Sequence, residues 1–330
     1  MGKGKNNIKK IAVFTSGGDA PGMNAAIRAV VRTAINYGTE VYGVIRGYDG
    51  LINGDFIKLD SKAVGGIIQR GGTILQSARS KEFRTKEGRQ KAYNNLVSEG
   101  IDAVIAIGGD GTFTGANIFS QEFGIPTIGI PGTIDNDLFG SDATIGYDTA
   151  MNTVVDAIDK IKDTAGSHNR LFFVEVMGRD AGFIALNTGI ATGAEAILIP
   201  EKVTYLEDLV ITLKRNKRKG KNSAIIIVAE GDDSGGAYEL ASKVKEVDNS
   251  YSTRVSILGH MQRGGSPTLA DRVLASQLGF YAVEALFLGH KGEMVGIING
   301  KLAYTSMELA IKQNADISTE LLRLARILSI

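Results

Sequence analysis

The sequence predicts an α/β fold: two doubly wound, mostly parallel sheet (Rossmann-like) domains, with the chain crossing between them more than once. Short apolar runs alternate with amphipathic stretches from Lys10 to Leu288, the pattern of parallel βα units. A chain of 330 residues can bury two proper cores. No Pro-rich or Ser-rich linker marks a boundary, so the domains are expected to exchange chain repeatedly. Glycine adds a functional hint: many of the 42 glycines sit in pairs just after apolar runs, where bare backbone can approach a ligand.

Lys10–Thr15 reads as the first strand, Ser16–Gly22 as a loop, and Met23–Tyr37 as a helix stopped by Gly38. Glu40–Ile45 is the next strand. A long loop begins at Gly47 and passes through Gly71-Gly72-Thr73 to Ser77-Ala78-Arg79-Ser80. Arg89–Val97 is helical and Asp102–Ile107 a strand. Gly108-Gly109-Asp110-Gly111-Thr112 then opens a helix reaching about Phe123. Ile125–Ile130 is a buried parallel strand and Tyr147–Asp163 a helix. The alternation continues with strands at Leu171–Val176, Ala196–Ile199, Ala224–Ala229 and Arg254–Leu258. The intervening helices are Ala181–Ala191, Leu206–Lys214 and one from Gly236. A loop over Gly259–Gly265 precedes a long helix over Leu269–Leu288.

Composition narrows the function. Hydrophobic residues at 43% and charged residues at 22% are ordinary for a soluble domain. A net charge of +1 implies no polyanion, so no nucleic acid is expected as a partner. The absence of cysteine removes disulfides, thiolate metal sites and thiol nucleophiles. No apolar run is of membrane-spanning length, and Met1–Lys10 is too polar for a signal peptide. A cytoplasmic enzyme or binding protein with no membrane partner is expected.

The chain is organised around Pro131-Gly132-Thr133-Ile134-Asp135-Asn136-Asp137. This loop follows a strand, where open α/β sheets place their ligands. Turn chemistry accounts for one or two such polar groups rather than the whole cluster. Gly17-Gly18, Gly71-Gly72 and Gly108-Gly109 are expected to follow strands of one sheet and to cradle phosphate with backbone N–H groups. No Walker sequence is present. The spacing Gly109-x-Gly111-x-x-x-Gly115 allows a dinucleotide, with Asp135 at about the distance of a ribose-binding acid. Asp110 opposes this, because a carboxylate repels pyrophosphate unless a cation intervenes; Mg²⁺ would make it an asset. The alternative for Asp110 is a helix N-cap.

Arg79, Arg170, Arg179, Arg254 and Arg263 read as lying in or beside strand-end loops, with forks matched to phosphate oxygens. Of the three histidines, His260 is the functional candidate, spaced by two residues from Arg263 in a glycine-bounded loop; His290 reads as a helix-end residue. Glu230 ends an apolar strand and can accept from a sugar hydroxyl, or point into solvent. The basic run Lys214–Lys221 reads as a solvated helix end offsetting the dipole, with an anion site as the alternative.

Five motifs stand in the order seen in 6-phosphofructokinases: Ser16–Asn24, Gly108–Thr112, Pro131–Asp137, Met177-Gly178-Arg179 and Gly259–Pro267. The chain resembles the short bacterial ATP-dependent members (the phosphofructokinase A type) from about Lys9 to Gly300. Gly-Gly-Asp-Gly-Thr alone is shared with lipid and NAD kinases; the five together are specific. The resemblance implies an allosterically regulated kinase of glycolysis that moves the ATP γ-phosphoryl to the 1-hydroxyl of fructose 6-phosphate. It makes Asp135 the general base, with Asp137, Thr133, Arg79 and Arg179 completing the catalytic set. Gly18, Arg79, Ser80, Gly109, Asp110, Gly111 and Thr112 would bind nucleotide, and Asp110 would organise Mg²⁺. Thr133, Ile134, Asp135, Met177, Gly178, Arg179, Glu230, His260 and Arg263 would hold the sugar phosphate. Arg170 and Arg254 would reach it from a neighbouring subunit of a homotetramer. The implied domains are 1–146 plus 262–311 for ATP and magnesium, and 147–261 plus 312–330 for fructose 6-phosphate.

A second site for ADP or phosphoenolpyruvate is implied at Arg28, Arg32, Lys162, Gly193, Glu195, Lys219 and Lys221. The pattern departs where Ser61 and Lys162 replace common arginines; without the resemblance, Arg28 and Arg32 are a solvated helix face. Pyrophosphate-dependent relatives usually carry Asp where this chain has Gly111 and Lys where it has Gly132, so ATP is the expected donor. The alternatives are the pyrophosphate-dependent enzyme, a nicotinamide dehydrogenase (disfavoured by Asp110), and a non-catalytic sugar-phosphate sensor (disfavoured by the joint presence of Asp135, Asp110 and Arg79).

Overall fold

The computed structural model describes residues 8–168, 170–313 and 315–329, so residues 1–7 of the polar amino-terminal stretch lie outside the described residues. In chain order the elements are β1 (Lys10–Thr15), α1 (Met23–Asn36), β2 (Glu40–Val44), α2 (Gly47–Asn53), β3 (Phe56–Leu59), α3 (Lys86–Glu99), β4 (Ala103–Gly108), α4 (Asp110–Phe123) and β5 (Thr127–Pro131). Then come α5 (Tyr147–Gly166), β6 (Arg170–Val176), α6 (Phe183–Thr192), β7 (Ala196–Leu198), α7 (Leu206–Arg218), β8 (Ala224–Ala229), α8 (Ala237–Val247) and β9 (Ser252–Ile257). The chain closes with α9 (Leu269–Leu288), β10 (Glu293–Ile298), β11 (Lys301–Ser306), α10 (Met307–Lys312) and α11 (Thr319–Leu328).

Two compact units result. Unit 1 comprises Met1–Ile134, Leu138–Thr149 and Arg263–Ala315; unit 2 comprises Asp135–Asp137, Ala150–Gln262 and Asp316–Ile330. The expected repeated crossing of the chain is therefore present, and both units carry the expected parallel sheets.

Unit 1 holds a seven-stranded sheet in the order β11-β10-β5-β4-β1-β2-β3. Its five inner strands are parallel, and the edge strands β3 and β11 run antiparallel to their neighbours. Every residue of β4 and β5 is buried, which is why these strands read as unbroken apolar runs rather than as alternations. Phe14, Val104, Phe113 and Phe119 pack into one core cluster with Met294 and Met307, while α1 and α9 lie against each other and against the sheet. The chain leaves β1 towards β2 and leaves β4 towards β5, so the strand order reverses between β1 and β4. Ligands of open sheets bind beyond the carboxyl ends at such a reversal.

Unit 2 holds the parallel sheet β7-β8-β6-β9. Leu171, Phe173, Leu213, Ile226 and Leu240 form its core. Helix α7 has Glu207 and Asp208 in its first turn and Arg215, Lys217 and Arg218 in its last, so the basic run does oppose the helix dipole.

Two segments differ from expectation. The long loop after Gly47 contains α2 and β3. Gly50 permits that helix, since a Cβ there would lie 1.9 Å from the Ile45 carbonyl oxygen, so α2 is fixed by packing that propensity does not report. Beyond Leu288, β10 and β11 form a hairpin around Asn299-Gly300, both with positive φ. That dipeptide is a strong two-residue turn signal.

Arg89 on α3 meets Glu122 on α4 through bonds of 2.6 and 2.8 Å. The Arg89 hydrogen bond holds the Glu122 carboxyl below its ordinary value. A carboxylate depressed in the folded state stabilises above its unfolded pKa and loses that contribution as pH falls through the folded value. Glu122→Gln should therefore make the acid-side fall in Tm shallower below about pH 4.5. Thermal melts across that range check this, and an unchanged slope contradicts it.

Candidate active site

In unit 1, the loops after β1, β4 and β5 are tied together by backbone hydrogen bonds. Ser16 N donates to Ile107 O at 3.0 Å, and Gly132 N donates to Gly108 O at 3.0 Å. Thr112 Oγ1 adds a bond to Ser16 O at 3.1 Å. The bare backbones of Gly17-Gly18, Gly108-Gly109 and Gly132 therefore meet at the strand-order reversal.

Gly71-Gly72 corrects one expectation: this pair follows no strand. It lies in a turn segment after β3 that is fastened to α1. The buried Asn24 amide donates to Arg70 O at 3.0 Å and Gly71 O at 3.2 Å, and its oxygen accepts from Ile74 N at 2.8 Å. The same segment reaches β1 through Thr73 and Thr15, whose hydroxyls are 2.9 Å apart. Ser77 Oγ then donates to Gly17 O at 2.8 Å. Arg79, two residues on, is exposed. Ser80 Oγ accepts from Phe83 N at 3.2 Å, so its hydroxyl also caps the short turn Glu82–Arg84.

Asp110 is the first residue of α4, and Gly109 occupies the cap position. The N-cap alternative for Asp110 is thus not realised. Gly111 has nothing within 4 Å of the position a Cβ would take. At Gly132 a Cβ would lie 3.0 Å from Ile107 Cγ2 and 3.3 Å from Met23 Cε. Thr133 is buried in unit 1, and its carbonyl accepts from Thr144 Oγ1 at 2.5 Å. Ile134 is fully buried in unit 1. Asp135, Asn136 and Asp137 fall in unit 2. Asp135 and Asn136 are each 7% exposed, and Asn136 has a left-handed φ of 54°. A short polar side chain tolerates that conformation by bonding locally.

Arg263 belongs to unit 1. Its Nη1 donates to Asp19 O at 3.2 Å and lies 2.6 Å from where a Gly18 Cβ would stand. Only glycine at 18 lets this guanidinium rest where it does, on the loop that follows β1.

In unit 2 the loop Met177–Arg179 follows β6. Glu230 Oε1 accepts from Arg179 N at 2.7 Å and Gly178 N at 3.3 Å. Arg179 has a φ of 57°, and a Cβ on Gly231 would lie 2.1 Å from the Arg179 carbonyl oxygen. Glu230 and Gly231 therefore hold a backbone that a long side chain rarely adopts. Gln262, fully buried and unassigned from sequence, accepts at Oε1 from Met177 N at 2.8 Å. Its signal was its place inside the Gly259–Gly265 loop, beside the exposed His260.

Arg170 and Arg254 correct a second expectation. Arg170 is the first residue of β6, and Arg254 lies in β9 opposite Phe172. Both sit towards the amino ends of strands. Six residues of extended chain lie between Arg170 and Met177, a separation of roughly 20 Å. His290 pairs with Glu293 at 2.5 Å and stacks on Tyr304, as a residue just past a helix end.

Lys162 bonds Thr192 O, Gly193 has the left-handed φ that ends α6, and Glu195 lies 4.0 Å from Lys221 and accepts from Ile225 N. Lys219 is the C-cap of α7. These five residues lie in unit 2. Arg28 and Arg32 lie on α1 in unit 1, where burial, then the neighbouring Arg32, lowers the Arg28 pKa. A cavity of about 800 Å³ in unit 2, lined by β7, α7 and α11, includes Glu195 but none of the residues of the β6 and β8 loops. Among the described residues no helix is long and apolar enough to cross a membrane.

The family model for phosphofructokinase matches residues 10–286. The chain belongs to the phosphofructokinase family. It is 56% identical, over 98% of its length and 99% of the relative's, to ATP-dependent 6-phosphofructokinase 2 of Bacteroides thetaiotaomicron. It is 54% identical, over 98% of its length and all of the relative, to ATP-dependent 6-phosphofructokinase 1 of Thermus thermophilus. Phosphofructokinase of Pichia pastoris in the T-state superposes with a TM-score of 0.88 at 40% identity, covering 93% of this chain but only 36% of the much longer yeast chain. A pyrophosphate-dependent phosphofructokinase of Marinobacter aquaeolei shares the fold alone, at 22% identity and a TM-score of 0.83 over 98% of this chain and 92% of that one.

Proposed function

We propose that this chain is an ATP-dependent 6-phosphofructokinase, transferring the γ-phosphoryl of ATP to the 1-hydroxyl of D-fructose 6-phosphate to give fructose 1,6-bisphosphate and ADP. One observation carries the proposal: glycine-rich loops meet at the strand-order reversal of unit 1 in a chain matched end to end by relatives named for that activity.

Gly18, Gly109, Gly111, Thr112, Arg79 and Ser80 hold the nucleotide. Backbone N–H groups at the start of α4 favour its phosphates. Among the described residues no group of three or more acidic or histidine side chains is poised as a metal cage. Mg²⁺ suits such a place, since it commonly takes one or two carboxylates and completes its shell with phosphate and water. Asp110 would hold it, and the ion would neutralise charge on the phosphates.

Met177, Gly178, Arg179, Glu230 and His260 hold the sugar phosphate with Thr133 and Ile134, and Arg263 supports the phosphate loop as well. Asp135 takes the proton of the 1-hydroxyl while that oxygen bonds to the γ-phosphorus and the bond to the departing ADP oxygen breaks. Asp137 supports Asp135; Thr133, Arg79 and Arg179 stabilise the charge that develops. Most of the catalysis is positioning and electrostatics. Arg170 and Arg254 would serve the site of a neighbouring copy in a homotetramer, as the resemblance implies. The nucleotide domain is assigned as 1–146 plus 262–311. The sugar-phosphate domain is 147–261 plus 312–330. Lys162, Gly193, Glu195, Lys219 and Lys221, and likewise Arg28 and Arg32, would bind ADP or phosphoenolpyruvate at a second site between subunits. The enzyme works in the cytoplasm.

Equimolar fructose 1,6-bisphosphate and ADP from fructose 6-phosphate and MgATP test the proposal; ATP consumed without sugar bisphosphate contradicts it. Glu230→Ala should release the Gly178-Arg179 backbone and raise the fructose 6-phosphate KM roughly tenfold, the worth of about one hydrogen bond to a charged group. Saturation kinetics check this, and an unchanged KM contradicts it.

A further inference from the structure

Asp271 is a buried carboxylate that the chemistry above leaves unused. It lies in the first turn of α9 and is 1% exposed. Oδ1 accepts from Gly146 N at 2.8 Å; Oδ2 accepts from Thr149 N at 2.8 Å and from the Thr149 hydroxyl. Thr149 Oγ1 also accepts from Thr268 N at 3.0 Å. Thr268 Oγ1 donates to Asp148 Oδ2 at 2.6 Å and accepts from Asp271 N at 3.3 Å. The first turns of α5 and α9 therefore cap each other through four side chains, with a carboxylate at the positive end of α5. Burial raises the Asp271 carboxyl above its ordinary range, against these donors. A carboxylate kept there despite desolvation has to be matched by its hydrogen bonds.

The Gly146 amide that Asp271 holds ends the loop opening at Gly132. Ile145 N donates to Pro131 O at 3.0 Å, and Thr144 Oγ1 donates to Thr133 O at 2.5 Å. The clamp at Gly146 thus adjoins the contacts that fix Pro131 and Thr133 at the end of β5.

We propose that Asp271 is a positioning residue for phosphoryl transfer: by pinning Gly146 and Thr149 it keeps Thr133, at the other end of the loop, in register with the reacting groups. This rests on the phosphofructokinase function proposed above. Asp271→Asn keeps the shape but turns one acceptor oxygen towards an N–H as an NH₂, leaving two donors face to face. Thr149→Val removes only the hydroxyl; Thr149→Ser keeps it.

The experiment measures, for each full-length variant, kcat, the ATP KM and the ratio of fructose 1,6-bisphosphate formed to ATP consumed. Asp271→Asn should lower kcat by about 10²-fold, the cost of an ångström-scale displacement, with the ATP KM within about twofold. The product-to-ATP ratio should fall as water competes for the phosphoryl group. Thr149→Val should show the same fall in smaller degree, and Thr149→Ser should restore it. The ratio does not depend on the active fraction, so a merely structural lesion leaves it unmoved. An unchanged ratio in both Asp271→Asn and Thr149→Val overturns the proposal, and Thr149→Val decides alone if Asp271→Asn does not fold. A wild-type chain that forms no bisphosphate from ATP overturns the underlying function instead, and this inference with it.

Discussion

Asp135→Asn should lower kcat by about 10²–10⁴-fold, the usual contribution of a positioned general base, while the KM values for ATP and fructose 6-phosphate move little. The carboxamide preserves shape at a position only 7% exposed but cannot accept the proton, so the fall in kcat reports the loss of the base. Initial rates at saturating substrates check this. An unchanged kcat with a raised KM would make Asp135 a binding residue only.

Gly111→Asp should lower kcat/KM for ATP by roughly 10²-fold. The position is sterically open, with nothing within 4 Å of a Cβ, so the substitution is not expected to disturb α4. The new carboxylate would stand in the first turn of α4, beside the proposed phosphate site. Like charges about 4–6 Å apart cost roughly 3–4 kcal/mol at an effective dielectric near 20. The fructose 6-phosphate KM should stay within about twofold. Rates across an ATP series check this, and full retention of kcat/KM would move the nucleotide away from Gly111. Gly132→Lys is harder on the fold, because Ile107 and Met23 must first give way.

The strands and helices that carry these residues were legible because their signals are periodic or local. The runs at Lys10–Thr15 and Ala224–Ala229 gave strands, and the stretch Leu269–Leu288 gave a helix. The β10–β11 hairpin is legible in the Asn299-Gly300 turn signal. Helix α2 was not legible, since Gly47 and Gly50 argue against a helix, and only the approaches of Gly47 to Thr15 O and of Gly50 to Ile45 O explain them. At the candidate site the motif loops were legible as strand ends, apart from Gly71-Gly72. What fastens them was not. Asn24 to Arg70, Gln262 to Met177 and Asp271 to Gly146 are single side-chain bonds across long sequence separations, and no pattern in the chain announces them. The resemblance puts Arg263 with the sugar phosphate; that its guanidinium also rests on the β1 loop has no signal in the sequence.

The most direct measurement is the initial rate of fructose 1,6-bisphosphate formation from fructose 6-phosphate and Mg²⁺, with ATP in one reaction and pyrophosphate in another. Turnover with ATP and none with pyrophosphate is the predicted result. Turnover with pyrophosphate alone would contradict the donor assignment that Gly111 and Gly132 support, and no turnover with either donor would contradict the catalytic function itself.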